Sequence, residues 1–251
     1  MTQTILITGA TSGFGAACAR RFATGDWQLV LTGRRADRLD ELRRELGDAV
    51  AATLPFDVRD RDAVAANLGH LEVDVLLNNA GLALGLEPAW ATDPEDWETM
   101  VDTNAKGLMY CTRAVLPGMV ARNRGHVINI SSTAAHWPYP GGNVYGATKA
   151  FVEQFTRNLR ADLLGTKVRA TCIAPGMAET EFSNVRFKGD DARADRVYAG
   201  AQPLQAEDVA EIIYFVTTLP AHVNINALEV MCIDQSWGHL AVHRQADGNR
   251  D

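Results

Sequence analysis

The chain has no long apolar run. Its hydrophobic stretches are strand-sized and fall short of the roughly 20 residues a membrane-spanning helix needs. Even so, 47% of its 251 residues are hydrophobic, enough to build a substantial core. The opening MTQTILITGA enters a strand directly. It lacks the basic start and extended apolar stretch of a signal peptide, so a cytoplasmic location and no membrane partner are expected. Cysteine is scarce and scattered: Cys18, Cys111, Cys172 and Cys232 form no CxxC pair and share no pattern with histidine. That argues for reduced structural thiols and against disulfides or a zinc site, and no metal is expected. Positive charge is also short, with a formal net charge of −7. Without a basic stripe, nucleic acid is not an expected partner. Internal repeats, low-complexity segments and interdomain linkers are all missing.

What is present is an alternation of strand and helix patterns. QTILIT (3–8) leads into GATSGFG (9–15) and a helix over 14–24. WQLVLT (27–32) is followed by a charged helix near 36–46, and VAATLPF runs up to Asp57 before a short helix near 60–69. VDVLLNNAG (73–81) is nearly all apolar, as expected of a parallel strand covered on both faces. Asp93-Pro94 opens a long helix to about 122, with Pro94 suited to its first turn and a bend expected near Gly107 or Pro117. HVINIS (126–131), a helix over about 144–164 and KVRATCIAP (167–175) follow. Residues 176–204 show no clean period and read as a mobile flap. A helix over 206–219, a last strand over 227–233 and a polar tail from about 240 complete the chain. The pattern predicts an α/β fold: a single Rossmann-like doubly wound parallel sheet with helices on both faces, forming one dinucleotide-binding and catalytic domain over 1–251. Ligands of such a fold bind at the carboxyl ends of the strands.

Those ends carry the informative residues. In GATSGFG, Gly9 permits a tight turn, Gly13 lets backbone approach a pyrophosphate, and Gly15 allows the helix to pack closely on the sheet. Thr11 and Ser12 add hydroxyl donors, and Phe14 completes the loop. The second strand ends in Gly33-Arg34-Arg35, with no acid until Asp37. An acid there suits the ribose hydroxyl of NAD, whereas arginine accommodates the 2′-phosphate of NADP. NADP is the expected cofactor; the alternative is a pair of solvated arginines at a helix start. Asp57 and Val58 are placed to bracket the adenine, and Asn79, Ala80 and Gly81 to approach the ribose.

The stretch SSTAAHWPYPGGNVYGATK (131–149) holds Tyr145 and Lys149, one helical turn apart on one face. An ammonium beside a phenol favours the ionised form, and such a tyrosine can exchange a proton with an alcohol or carbonyl oxygen. Ser132, thirteen residues earlier, can offer its hydroxyl to the same oxygen. A Tyr-x-x-x-Lys spacing alone also occurs as an exposed lysine beside a half-buried tyrosine.

TGATSGFG, NNAG, Asn104, Ser132, the Tyr145/Lys149 pair and Pro175-Gly176 stand in an order and spacing that resembles the short-chain dehydrogenase/reductase family over nearly the whole chain. TGRRADRLDEL, DWETMVDTNAKGL, WPYPGGNVYGATKAFV and TEFSNVRFKGDD are similar to its branch of NADP-dependent 3-hydroxy acid dehydrogenases. The resemblance implies Tyr145 as general acid/base. It implies Lys149 as holder of the nicotinamide ribose and the group that lowers the tyrosine pKa. Ser132 would bond the reacting oxygen, and Asn104 would support a water relay to Lys149. Pro175, Gly176 and Thr180 would lie on the nicotinamide side, and a homotetramer would form through the two long helices. The segment Pro175–Thr180 carries Glu179 where relatives carry glycine, and Ser131 makes a Ser-Ser pair.

A 3-hydroxy acid brings a carboxylate, for which the flap offers Arg186 and Lys188. Either Arg186 pairs with it, or both bases are solvated or paired with Asp190 and Asp191. Trp137 and Tyr139 are expected to wall the pocket, and His136 reads as a loop histidine. Two other functions fit the motifs less well: a reductase of unrelated ketones or aldehydes, and a non-catalytic NADP-binding sensor.

Overall fold

Alternating side chains settle the first strand. In β1 (Gln3–Thr8), Ile5 and Ile7 point to one face and Leu6 to the other, all fully buried. A strand buried on both faces needs parallel neighbours with helices above and below it. The computed structural model, which describes residues 2–237, has that arrangement. β2 (Trp27–Gly33), β3 (Val50–Pro55), β4 (Val75–Asn78), β5 (Gly125–Ile130), β6 (Val168–Pro175) and β7 (Ala227–Val230) join β1 in one seven-stranded sheet. Its order is β3-β2-β1-β4-β5-β6-β7, and every pairing is parallel. The order reverses beside β1, so the crevice at the carboxyl ends of β1 and β4 is the switch point.

α1 (Gly13–Ala23), α2 (Ala36–Leu46) and α9 (Ala206–Thr218) cover the Ile5/Ile7 face, with Phe22 wedged edge-on against Trp27 and Tyr214. α3 (Arg61–Leu68), α5 (Leu108–Ala121) and α6 (Asn143–Asp162) cover the Leu6 face through Val64, Leu68, Val115, Met119 and Leu159. All four cysteines are buried and unbridged, and burial raises the thiol pKa of Cys18, Cys111 and Cys172.

Two segments differ from the sequence-based expectation. The long helix expected over 94–122 is two helices, α4 (Pro94–Val101) and α5, joined by a π-helical turn at Asp102–Gly107; Pro117 lies within α5. The segment 176–204, read as aperiodic, holds α7 (Phe182–Arg186) and α8 (Asp191–Arg196). Helices of five and six residues are too short for a 3.6 period to register. A bridge between Ala178 and Leu204 closes the base of this segment. The polar tail expected from about 240 lies outside the described residues.

His126, on β5 and 2% exposed, sets an acid limit on stability. The Thr171 hydroxyl donates to the Ile225 carbonyl at 2.7 Å, so His126 Nε2 must donate to Thr171 Oγ1 at 2.8 Å. That leaves Nδ1 a buried acceptor with no polar partner among the described residues. Burial first, then the Arg169 charge, pulls the imidazole pKa down from 6.5 to about 3. An unfolded histidine takes its proton near 6.5 while the folded one does not until about 3. The contribution to stability is therefore complete above pH 6.5 and lost as pH falls through that window, by at most about 1.4 kcal/mol per unit. Urea midpoints between pH 7 and 4 are expected to fall less steeply in His126→Gln than in the parent.

Candidate active site

The cleft at the carboxyl ends of the strands has a volume of about 640 Å³ and is lined by residues at or just past the ends of β1, β2, β4, β5 and β6 and by the 176–204 segment. At its floor, Gly9 has φ +65°, and a Cβ there would lie 2.9 Å from Ala80 Cα. At Gly15 a Cβ would meet the Gly9 carbonyl oxygen, so α1 can approach β1 only with glycine at that position. Asn79 braces the turn by donating Nδ2 to the carbonyls of Thr8 (2.9 Å) and Gly9 (3.1 Å). The Thr8 hydroxyl accepts from the N–H groups of Asn79 and Ala80, both at 3.0 Å. Asn79 is therefore tied to the loop itself.

Beyond the loop, Arg35 donates Nε and Nη2 to Thr11 Oγ1 (3.1 and 2.9 Å) and Nη2 to Ser12 Oγ (2.8 Å). Arg34, with a side chain 62% exposed, lies 4.0 Å from Asp57. Asp57 is engaged by Arg59 at 2.7 Å. Partial burial works to raise that carboxyl, but the Arg59 bonds and the Arg34 charge outweigh it and hold it below the usual carboxylate range. Val58 is buried against Gly107 of the π turn. Phe14 and Thr180 also line the cleft, Thr180 facing Gly13 across it. Pro175 and Gly176 close the far side, where Gly176 N donates to the Val230 carbonyl at 2.7 Å. Hydroxyls, guanidinium groups and glycine-freed backbone along one groove fit a dinucleotide carrying a 2′-phosphate.

At the other end, α6 presents Tyr145 and Lys149 to the cleft. Tyr145 is 8% exposed and packs its ring on Phe182, with centroids 5.5 Å apart. Ser132 accepts from Ala134 N at 3.1 Å, and its hydroxyl works to lower the Tyr145 pKa. Its neighbour Ser131 turns away and donates to the Lys149 carbonyl at 3.0 Å. Lys149 Nζ donates to the Ile130 carbonyl at 2.9 Å. Asn104, in the π turn, clamps Leu82: Oδ1 accepts from its N–H (2.9 Å) and Nδ2 donates to its carbonyl (2.8 Å) and to Thr148 Oγ1 (3.1 Å). A Cβ at position 81 would lie 3.2 Å from Asn104 Oδ1 and 3.4 Å from Lys149 Nζ, so both side chains converge beside Gly81.

One electrostatic expectation is corrected. Burial raises the Tyr145 pKa from 10.0 to about 12, and the groups that oppose the rise are Ser132, by hydrogen bonding, and Arg186, by charge. Lys149 is not among them. Its Nζ lies 5.8 Å from the tyrosine ring centroid, and burial lowers its own pKa from 10.5 to about 8.

Arg186 reaches into this end from α7. Its guanidinium carbon lies 5.1 Å from the Tyr145 ring, 5.3 Å from Phe182 and 5.6 Å from Tyr139, and Nη2 donates to Tyr139 Oη at 2.5 Å. Nε is buried with no partner among the described residues. Lys188 points elsewhere, to Asp96 at 2.9 Å, while Asp191 accepts from Asn184 and Asp190 from the Arg193 N–H. Trp137 is 42% exposed at the rim, with Nε1 3.4 Å from Glu229.

A model of the family described as short chain dehydrogenase matches residues 3–191. The chain belongs to the short chain dehydrogenase family. It is 58% identical over 247 residues to the NADP-dependent 3-hydroxy acid dehydrogenase YdfG of Escherichia coli (strain K12), covering 96% of this chain and 99% of that protein. It is 55% identical over 251 residues to sulfoacetaldehyde reductase 2 of Chromohalobacter salexigens, covering 97% and 100%. Among solved structures, the closed form of a serine dehydrogenase complexed with NADP+ is similar at 58% identity and a TM-score of 0.95, covering 97% of this chain and 100% of that one.

In this short chain dehydrogenase, several residues at the site carry no sequence signal. Phe182 backs Tyr145. Gln235 Oε1 accepts from Met177 N at 2.7 Å and holds the base of the flap. His136, read as a plain loop residue, sits between two carboxylates, Glu153 (2.5 Å) and Glu229 (3.4 Å). These partners lie 17 and 93 residues further along the chain, beyond the reach of any local motif.

Proposed function

We propose that the protein is an NADP-dependent oxidoreductase that moves a hydride between nicotinamide and the carbinol carbon of a small 3-hydroxy acid or its 3-oxo partner. Serine, allo-threonine and 3-hydroxypropionate are of the expected size. The observation that carries the substrate class is Arg186: a half-buried guanidinium lodged against the Tyr145 ring, its Nε without a partner among the described residues. A guanidinium fork in a partly dehydrated site calls for an anion one or two carbons from the reacting centre.

A dinucleotide held in this groove would supply the hydride in its reduced form, NADPH, and accept it in its oxidised form, NADP+. In reduction, Tyr145 donates its phenolic proton to the developing alkoxide, and Ser132 donates a hydrogen bond to the same oxygen. Lys149 holds the nicotinamide ribose, and Asn104 supports a water relay that returns the proton. Arg34 and Arg35 take the 2′-phosphate. Trp137 walls the rim.

A second reading has one specific observation in its favour. The relative from Chromohalobacter salexigens is named for sulfoacetaldehyde, whose sulfonate presents the same fork-compatible oxygens as a carboxylate. Rates with isethionate are therefore to be compared with those on hydroxy acids. The protein would act as one dinucleotide-binding and catalytic domain in the cytoplasm. There it would form a homotetramer through α5 and α6, where Phe151 stacks on Phe155.

Initial rates with L-serine, L-allo-threonine, 3-hydroxypropionate and isethionate, each with NADP and NAD, test the reading. NADP-dependent oxidation of at least one of these anions is expected. Turnover confined to uncharged ketones or aldehydes would replace it with the reductase alternative, and tight NADP binding without any turnover would favour the sensor.

A further inference from the structure

The arginines at the end of β2 already hold an anion. Glu181 Oε2 accepts from Arg35 Nη1 at 3.0 Å, and Oε1 accepts from Arg38 Nη1 at 2.6 Å. The two bonds cross 146 and 143 residues of sequence and tie the start of the flap to α2. Arg35 is also engaged on its other edge: Nε and Nη2 donate to Thr11 and Ser12, the hydroxyls within the glycine loop. Of the two arginines assigned to the 2′-phosphate, Arg34 is the more exposed, its side chain 62% exposed against 39% for Arg35.

We propose that Glu181 is a specificity-determining residue that competes with the cofactor's 2′-phosphate for Arg35 and Arg38. The proposal rests on the NADP reading above. A phosphate carries a charge of about −1.5 to −2 near neutral pH and prefers bidentate guanidinium donors, so it outcompetes a singly charged carboxylate at the same cations. The two anions cannot share that seat without repulsion, and phosphate binding therefore expels Glu181. A dinucleotide lacking the 2′-phosphate has no such leverage and leaves the pair closed.

The exchange also has a route to the substrate end. Glu181 immediately precedes Phe182, which packs on Tyr145, and α7 ends at Arg186. Release of Glu181 frees the start of the short helix that carries the substrate-binding arginine.

The test is equilibrium binding, not turnover. Dissociation constants of adenosine 2′,5′-bisphosphate and of 5′-AMP are measured by calorimetry for the parent and for Glu181→Gln. The glutamine keeps the shape of a half-exposed side chain and removes its charge. The bisphosphate is expected to bind about 2- to 10-fold more tightly to the variant, the range set by two partly exposed ion pairs, with 5′-AMP unchanged. Unchanged or weaker bisphosphate binding would overturn the proposal and make Glu181 a support that positions Arg35. Equal tightening of both ligands would overturn it too, since the effect would belong to the flap and not the phosphate. A parent protein that binds bisphosphate no better than AMP would remove the NADP reading and the proposal together. A parent that prefers bisphosphate beside an indifferent variant removes the proposal alone.

Discussion

Tyr145→Phe is expected to lower turnover about 10²- to 10⁴-fold, the usual contribution of a positioned general acid/base. Dinucleotide binding and thermal stability should change little. The substitution removes one oxygen and keeps the ring that packs on Phe182, so the buried apolar packing is retained. The pH profile sharpens the test. Burial holds the Tyr145 pKa near 12, against the Ser132 hydroxyl and the charge of Arg186. The protonated phenol therefore prevails at neutral pH, which suits proton donation in reduction. Oxidation needs the ionised form, and its rate is expected to climb with pH up to the tyrosine pKa, while reduction falls above it. Initial rates in both directions from pH 6 to 10, for parent and variant, check this: oxidation should climb across the whole window while reduction stays level. An oxidation rate indifferent to pH, or a variant retaining more than about a tenth of parent activity, would remove Tyr145 from the role.

Arg186→Ala is expected to have the next largest effect. A hydrogen-bonded ion pair in a partly dehydrated site contributes about 1.5–3 kcal/mol, so kcat/KM for a hydroxy acid should fall roughly 10- to 150-fold, mainly through KM. A small uncharged aldehyde has no anion to lose and should be reduced at a nearly unchanged rate. The charge of Arg186 also lowers the Tyr145 pKa, so the alkaline rise of oxidation should shift to higher pH in the variant. Arg186→Lys should restore part of the pH shift, because the charge returns, but less of the KM, because the planar fork does not. Lys188→Ala is the control. Lys188 pairs with Asp96 on α4 and should affect KM little. A KM for L-serine unmoved by Arg186→Ala would end the assignment of the substrate anion to this residue.

Much of the molecule was legible in one dimension because it depends on local spacing. Short apolar runs bounded by turn residues placed five of the seven strands within two residues at each end; β4 is shorter than expected, Val75–Asn78 instead of 73–81, and β7 ends at Val230 instead of 233. Strand and helix in alternation determined a parallel doubly wound sheet. The glycine spacing after β1 and the one-turn separation of Tyr145 and Lys149 are local geometry, so both could be located before any fold existed.

Tertiary structure alone decided the charges. Whether an arginine is available depends on which acids the topology brings to it. Lys188 is diverted to Asp96, Arg186 is left facing Tyr145, and Arg35 is closed off by Glu181. The shift of Tyr145 likewise follows from desolvation, which depends on everything packed around the phenol, and adjacency to Lys149 did not foretell it. The π turn at Asp102–Gly107 belongs to the same class: its Asn104 is held by Leu82, twenty-two residues back in the loop after β4. Spacing along a chain fixes what is one turn away, but ion pairing and burial act through space, and only the folded sheet brings such distant residues together.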